Sequence, residues 1–354
     1  MYPKNEGVAL PVDLIRTVAI ILVILLHASI QSYPNISLMS PQGVQIWWAS
    51  NVYDSLARVC IPLFVMLAGV LLLQPSKADE PLKTFFKKRL VRIGVPFLFW
   101  GITYFAWRFF ANGEILTVNS IVQGVLTGPY YQFWFLYLLL GLYLVTPILR
   151  VIIKHADWKI IKYFIFVWFA GTAIVPLLTL FGPFNLSAGV FIFTGWLGYF
   201  VLGAYLMKVQ LKTSILTLVL VFGMLWTIIG TYLVIGALGE KFSQFFYDAY
   251  SFNIILASAA LFLLLAAVPS QKIESRFPHG NRMLKLISQN TLPIFLFHVI
   301  VLEVLQRGYL GFTISITKMN PILEIPLITG LTILICLAII VPLKKIPCMK
   351  KIIG

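Results

Sequence analysis

The feature that most constrains this chain is the return of long apolar runs from its first residues to its last. A helix crossing a hydrocarbon core needs about 20 mostly apolar residues. Runs of that kind fall at roughly 11–31, 55–74, 92–110, 131–152, 160–180, 189–208, 213–236, 250–268, 287–306 and 322–344. Charged residues make up 11% of the 354 and hydrophobic residues 60%. A soluble domain carries about 25% charged residues, so the chain has far more apolar surface than a soluble core hides. The reading is an all-α integral membrane protein, a bundle of about ten transmembrane helices. No stretch of ordinary composition is long enough for a separate soluble domain, and no repeat or linker stands out, so residues 1–354 read as one polytopic domain. The first run reads as a retained span. It carries Arg16 near its start, lacks a small-residue cleavage site, and continues into His27, Gln31 and Pro34.

The net charge of +15 would point to nucleic acid in a soluble protein. Here the basic residues sit in short clusters between apolar runs, which reads as topology and lipid headgroup contact, with no nucleic acid. Segment 75–92 holds Lys77, Lys83, Lys87, Lys88, Arg89 and Arg92, and further clusters lie at 150–162, at Lys208 and Lys212, at 272–285 and in the tail. The alternate segments 32–54, 111–131 and 181–190 have no lysine or arginine, 237–249 has Lys241, and 307–321 has Arg307 and Lys318. Lysine and arginine stay on the cytoplasmic side, so ten spans with both termini cytoplasmic satisfy every loop of a multi-pass cell-membrane protein. Trp47, Trp48, Trp100, Trp107 and Trp134 lie near span ends as interfacial anchors. Of three cysteines, Cys60 and Cys336 fall inside apolar runs, which gives no disulfide framework.

Ionisable residues at membrane depth are expensive and mark functional candidates. Here they are Asp13, Arg16, His27, Arg58, Arg108, His298 and Glu303. Arg16 and His27 are eleven residues apart. At about 100° per residue that is within about 20° of three whole turns, so both lie on one helix face about 16 Å apart along the axis. The arginine lies toward the cytoplasm, the histidine deeper. Histidine takes protons near neutral pH or carries an acyl group itself; the competing reading is a packing histidine bonded to a neighbouring helix. Asp13 is one turn before Arg16 and a candidate partner. His298, in IFLFH, sits at mid-depth, with Glu303 about 140° round the helix. Arg58 follows Asp54 by one turn and suits an i, i+4 ion pair, while Arg108 has the position of a snorkelling side chain. In KTFFKKRLVR, Arg89 and Arg92 are helix neighbours whose forks suit phosphate oxygens, although positive-inside charge alone explains a basic loop. No metal-ligand cluster, phosphate-binding glycine loop or nucleophile elbow appears.

These elements, in this order, resemble the acyltransferase 3 family of membrane acyltransferases. The resemblance runs through most of the chain: Arg16 to His27 in the first span, IPLFVMLAGVLL in the second, and the RxxR element Arg89 and Arg92 leading to Pro96. It continues through QFWFLYLLLGLYLVTPILR, GWLGYFVLGAYL and SQNTLPIFLFH. The chain has Ala68-Gly69 where serine-glycine is commoner, so any role for that hydroxyl is absent. The resemblance implies a ten-span O-acyltransferase that moves an acyl group, usually acetyl from acetyl-CoA, to a hydroxyl of a cell-surface or lipid-linked sugar. On that basis His27 is the base or acyl relay, with Arg16 on the same helix face. Arg16, Arg89, Arg92 and Lys88 hold the CoA phosphates. Trp134, Arg58, His298 and Asp13 are acceptor-side candidates, and no metal takes part. Partners are then acyl-CoA, the glycan acceptor and membrane lipids, with a homo-oligomer left open. Two other classes compete: a transporter or exporter of a glycan or small anion, which also needs polar groups at mid-membrane, and a scaffold or sensor subunit, which needs no buried histidine.

Overall fold

The computed structural model is built of helices over the residues it describes, 10–30, 41–182, 195–314 and 319–354 (the side chains of Gln42 and Lys272 excepted), with no strand among them. In chain order these are α1 (Val12–Ile30), α2 (Pro41–Ala57), α3 (Cys60–Leu72), α4 (Leu82–Phe110), α5 (Val118–Thr127), α6 (Trp134–His155), α7 (Trp158–Phe169) and α8 (Val175–Phe181). There follow α9 (Trp196–Leu206), α10 (Thr213–Leu238), α11 (Phe252–Ala266), α12 (Ser270–Arg276), α13 (Pro278–Gln289), α14 (Thr291–Gln306), α15 (Pro321–Leu343) and α16 (Pro347–Ile352).

Where they are described, the ten apolar runs fall on these helices, those at 55–74, 160–180 and 287–306 on two each. Seven helical stretches are long and apolar enough to cross a membrane: α1, Gly43–Leu72, α4, Val118–His155, Trp158–Phe181, α10 and α15. An eighth is α13 with α14, if the two count as one span broken at Asn290. The other two runs form α9 and α11, of 11 and 15 residues, short of the about 20 that a straight crossing needs. Gln31, Pro34, the run's expected start at 189–194 and Lys318 lie outside the described residues. One expectation is corrected. Segment 32–54, which has no lysine or arginine, is helical from Pro41 onward, and the second span begins well before residue 55. It folds because Ser50, Asn51, Asp54 and Ser55 are buried, and Asn51 and Asp54 have partners within reach.

The chain divides into two compact units: residues up to Ala78 with Leu149–Gln289, and Asp79–Ile148 with Asn290–Gly354. In the first, α1 packs against α2, α3, α11 and α13. It buries Ile15, Ala19, Val23 and Ile24 at helical spacing. Contact between α3 and α9 is close enough that a Cβ at Gly69 would overlap the Phe200 carbonyl, and one at Gly203 the Met66 carbonyl. Without a hydrophobic drive between helices in lipid, such close backbone approach is what holds them. Gly69 therefore has a packing reason that needs no hydroxyl at residue 68. Against α11, α10 turns Thr227, Thr231 and Val234 inward and leaves Leu218, Leu225, Ile229 and Leu233 exposed, an apolar face suited to hydrocarbon. Asn253, fully buried on α11, donates at 2.8 Å to Thr227 Oγ1 and to the Phe246 carbonyl. Hydrogen bonds between membrane helices contribute about 0.6–2 kcal/mol each.

In the second unit α14 packs on α4 and α15, and α16 on α4. Trp100 Nε1 donates to the Ile353 carbonyl at 3.2 Å and the Tyr104 hydroxyl to the Leu296 carbonyl at 2.7 Å. Arg108, expected to snorkel, is held instead by Glu114, with Nη2–Oε2 at 2.7 Å.

Candidate functional site

Helix α1 is unbroken from Val12 to Ile30, so the eleven-residue spacing keeps Arg16 and His27 on one face, about 16 Å apart along the axis. Both are partly exposed, at the edge of the buried stripe. The Arg16 end is fastened to α13: Ser288 donates to Asp13 Oδ1 at 2.6 Å and the Thr17 hydroxyl to the Leu284 carbonyl at 3.0 Å. His27 Nδ1 lies 2.8 Å from the Val23 carbonyl. A carbonyl only accepts, so Nδ1 carries the proton and the lone pair of the neutral ring sits on Nε2. The same bond holds the ring orientation.

The residue brought toward His27 is Arg58, at the break between α2 and α3, close enough to act on it electrostatically. Its ion pair with Asp54 is present, Nη2–Oδ2 at 2.6 Å. The guanidinium lies over the Tyr247 ring at 4.4 Å. The Tyr247 hydroxyl donates to Asn51 Oδ1 at 2.5 Å, Ser55 donates to the same oxygen at 3.2 Å, and Asn51 Nδ2 donates to the Ile228 carbonyl at 3.1 Å. Arg58 Nε and Asp54 Oδ1 are buried with no hydrogen-bond partner. A cation clamped on two sides, with one donor in reserve beside a titratable base, suits a charge that appears only when substrate is present.

In the second unit Lys88, Arg89 and Arg92 share the first turns of α4. Arg92 is exposed, Arg89 bends over the Phe85 ring at 5.4 Å, and Lys88 pairs with Glu80 at 3.4 Å. His298 is fully buried, with Nδ1 2.7 Å from the Phe295 carbonyl. Phe295 connects it through Phe135 to the exposed Trp134, ring to ring at 5.9, 5.0 and 6.2 Å. Glu303 accepts from Trp107 Nε1 at 2.7 Å, from Arg307 at 3.0 Å and from the Tyr130 hydroxyl.

Three residues escaped the sequence reading. Tyr247 and Asn51 carry no charge, and nothing in their neighbourhoods marks them. Glu324 had a signal, an acid inside the last apolar run. It is fully buried and neither carboxylate oxygen has a hydrogen-bond partner. Among the described residues no group of three or more His, Cys, Asp or Glu is placed to hold a metal ion.

The model of the acyltransferase 3 family, an acyltransferase domain, matches residues 11–341. No match to the chain was found among curated proteins or among solved structures.

Proposed function

The chain belongs to the acyltransferase 3 family and is a membrane acyltransferase, and from that premise we propose that it moves an acetyl group from acetyl-CoA to a hydroxyl of a cell-surface or lipid-linked sugar. The observation that carries the reading is His27, whose Nδ1–H is held by the Val23 carbonyl so that Nε2 is the base. In the step proposed, Nε2 takes the proton of the acceptor hydroxyl as its oxygen attacks the thioester carbonyl. The tetrahedral oxyanion collapses, the C–S bond breaks, and the departing thiolate takes the proton from the imidazolium. General base catalysis of this kind contributes about 10²–10⁴-fold. Arg58, held by Asp54 and Tyr247, supplies positive charge as the oxyanion forms.

In this reading both termini are cytoplasmic, ten segments cross the cell membrane, and the donor arrives from the basic side. Arg89, Arg92 and Lys88 are the phosphate contacts of the second unit, and Arg16 that of the first. Arginine forks pair bidentately with phosphate, and the exposed Arg92 has the freedom to do so. Asp13, engaged by Ser288, supports the turn that carries Arg16.

The test is label transfer from radiolabelled acetyl-CoA to extracted cell-surface glycan, catalysed by purified protein in detergent. Transfer by the wild type and its loss in His27→Ala, with the same melting temperature, is the expected result. A wild type that binds no acetyl-CoA overturns the reading.

A further inference from the structure

The connection between α10 and α11 has two faces. Phe246 and Tyr247 turn inward and are buried, Tyr247 reaching Arg58 and Asn51. Gln244, Phe245, Asp248 and Tyr250 turn the other way and line a cavity of about 370 Å³. Lys241 and Phe242 complete this side. The opposite wall comes from Ala170–Ile174, a single π turn between α7 and α8 that brings Thr172 and Ala173 to the cavity. Single π turns inside α-helices are frequent at functional sites.

The wall at Tyr250 is built to order. Gly195 has φ +37°, and a Cβ there would stand 3.2 Å from the Tyr250 hydroxyl oxygen. A Cβ at 195 would therefore crowd the phenol, and the positive φ also favours glycine there. The Tyr250 ring is backed by Trp196 at 5.4 Å, and its backbone N–H is tied to Asp248 Oδ1 at 2.7 Å.

The chemistry of the lining selects its ligand. Among the described lining residues Lys241 and Asp248 cancel, which leaves no net charge there to hold a phosphate or an ammonium group. Gln244, Lys241, Asp248 and the Tyr250 hydroxyl mix donors and acceptors, and Phe242, Phe245 and Tyr250 supply flat apolar faces. Ligand sites span about 300–1,000 Å³, and this one is at the small end, too small for CoA. A neutral polyhydroxylated ring has both what such walls recognise: hydroxyls at its rim and apolar C–H faces.

We propose that this cavity is the acceptor subsite and takes a neutral sugar unit, with Tyr247 on the reverse face of the same segment linking it to Arg58 and hence to His27. The inference rests on the acyltransferase reading above and adds where the acceptor docks.

The experiment measures binding of methyl glycosides of glucose, galactose and N-acetylglucosamine to the full chain in detergent, by quenching of tryptophan fluorescence and by saturation-transfer NMR. Lys241, Gln244 and Asp248 are exposed, so changing them leaves the packed interior intact. Saturable binding of at least one glycoside is expected, weakened about tenfold or more in Gln244→Ala and in Asp248→Asn, the effect of losing about 1.4 kcal/mol. Gln244→Ala keeps acetyl-CoA affinity. No binding of any of the three glycosides, or binding that both cavity variants leave unchanged, overturns the proposal. The acyltransferase reading fails separately, through absent acetyl-CoA binding, because glycoside binding is read without any transfer.

Discussion

Two ion pairs in this molecule have the same form and opposite surroundings. Asp54 and Arg58 in the first unit, and Glu303 and Arg307 in the second, are each an acid followed four residues later by arginine, at 2.6 and 3.0 Å. The acid is buried in both, with side-chain exposures of 5% and 3%. Glu303 has three side chains donating to it, and Arg307 has a second acceptor in Asn112 at 2.9 Å. That network is satisfied and half open to its surroundings, with Arg307 48% exposed. Arg58 is only 18% exposed, yet its Nε and Asp54 Oδ1 lack partners. An unmade hydrogen bond in a buried charged group is costly. Its retention beside His27 suits a group whose remaining partner is a substrate. Spare hydrogen-bonding capacity, more than burial, is what separates the two pairs, and on the proposed reading it marks the one that meets substrate.

The contrast can be broken in four ways. The largest effect is expected at the base: His27→Ala lowers acyl transfer by about 10²–10⁴-fold with an unchanged melting temperature, and near-normal turnover in the labelled assay would end the catalytic assignment. Next is Arg58→Ala, expected to lower kcat by about 10–100-fold, from the loss of one stabilising contact to an oxyanion, worth up to about 10²–10³ when fully engaged. Arg58→Lys should recover only part, because an ammonium lacks the fork that both Asp54 and an oxyanion use. Full recovery would mean that charge alone matters. In the second unit Glu303→Gln is expected to leave kcat within about twofold while destabilising by about 1–3 kcal/mol, since one of the two accepting oxygens becomes a donating NH2 and the buried donors facing it lose their acceptor. A fall in kcat at constant melting temperature would show that this pair also works in the reaction. The smallest effect belongs to Arg307→Ala, below about 1 kcal/mol for a half-exposed pair and without change in transfer, read from melting curves and the same assay.

Much of the fold was legible in the sequence because lipid leaves a chain few choices. A backbone in hydrocarbon must satisfy its own polar groups, so each apolar run determines its helix locally, and each run forms helix among its described residues. The segment before residue 55 was not legible as helix. It mixes tryptophans with buried serine and asparagine, and Asn51 finds its partners in Ile228 and Tyr247, 177 and 196 residues along the chain. The spacing of Arg16 and His27 on one face was legible for the same local reason, as was the Asp54–Arg58 pair. Glu324 was visible as a letter inside an apolar run, but only its burial without a partner sets it apart.

By itself, then, the sequence determined a helical membrane protein, the face that joins Arg16 to His27, and the candidate cations. All of these follow from periodicity within one helix. Tertiary structure decided which of two i, i+4 acid–arginine pairs is satisfied. The partners that distinguish them, Tyr247 for Arg58 and Trp107 and Tyr130 for Glu303, come from other elements; Trp107 and Tyr130 lie 196 and 173 residues from Glu303. The cavity between Lys241 and Tyr250 likewise exists only once the π turn at Ala170–Ile174 faces the α10–α11 connection. Helical repeat is written in neighbouring residues, whereas a hydrogen bond made or withheld depends on what folding brings from afar.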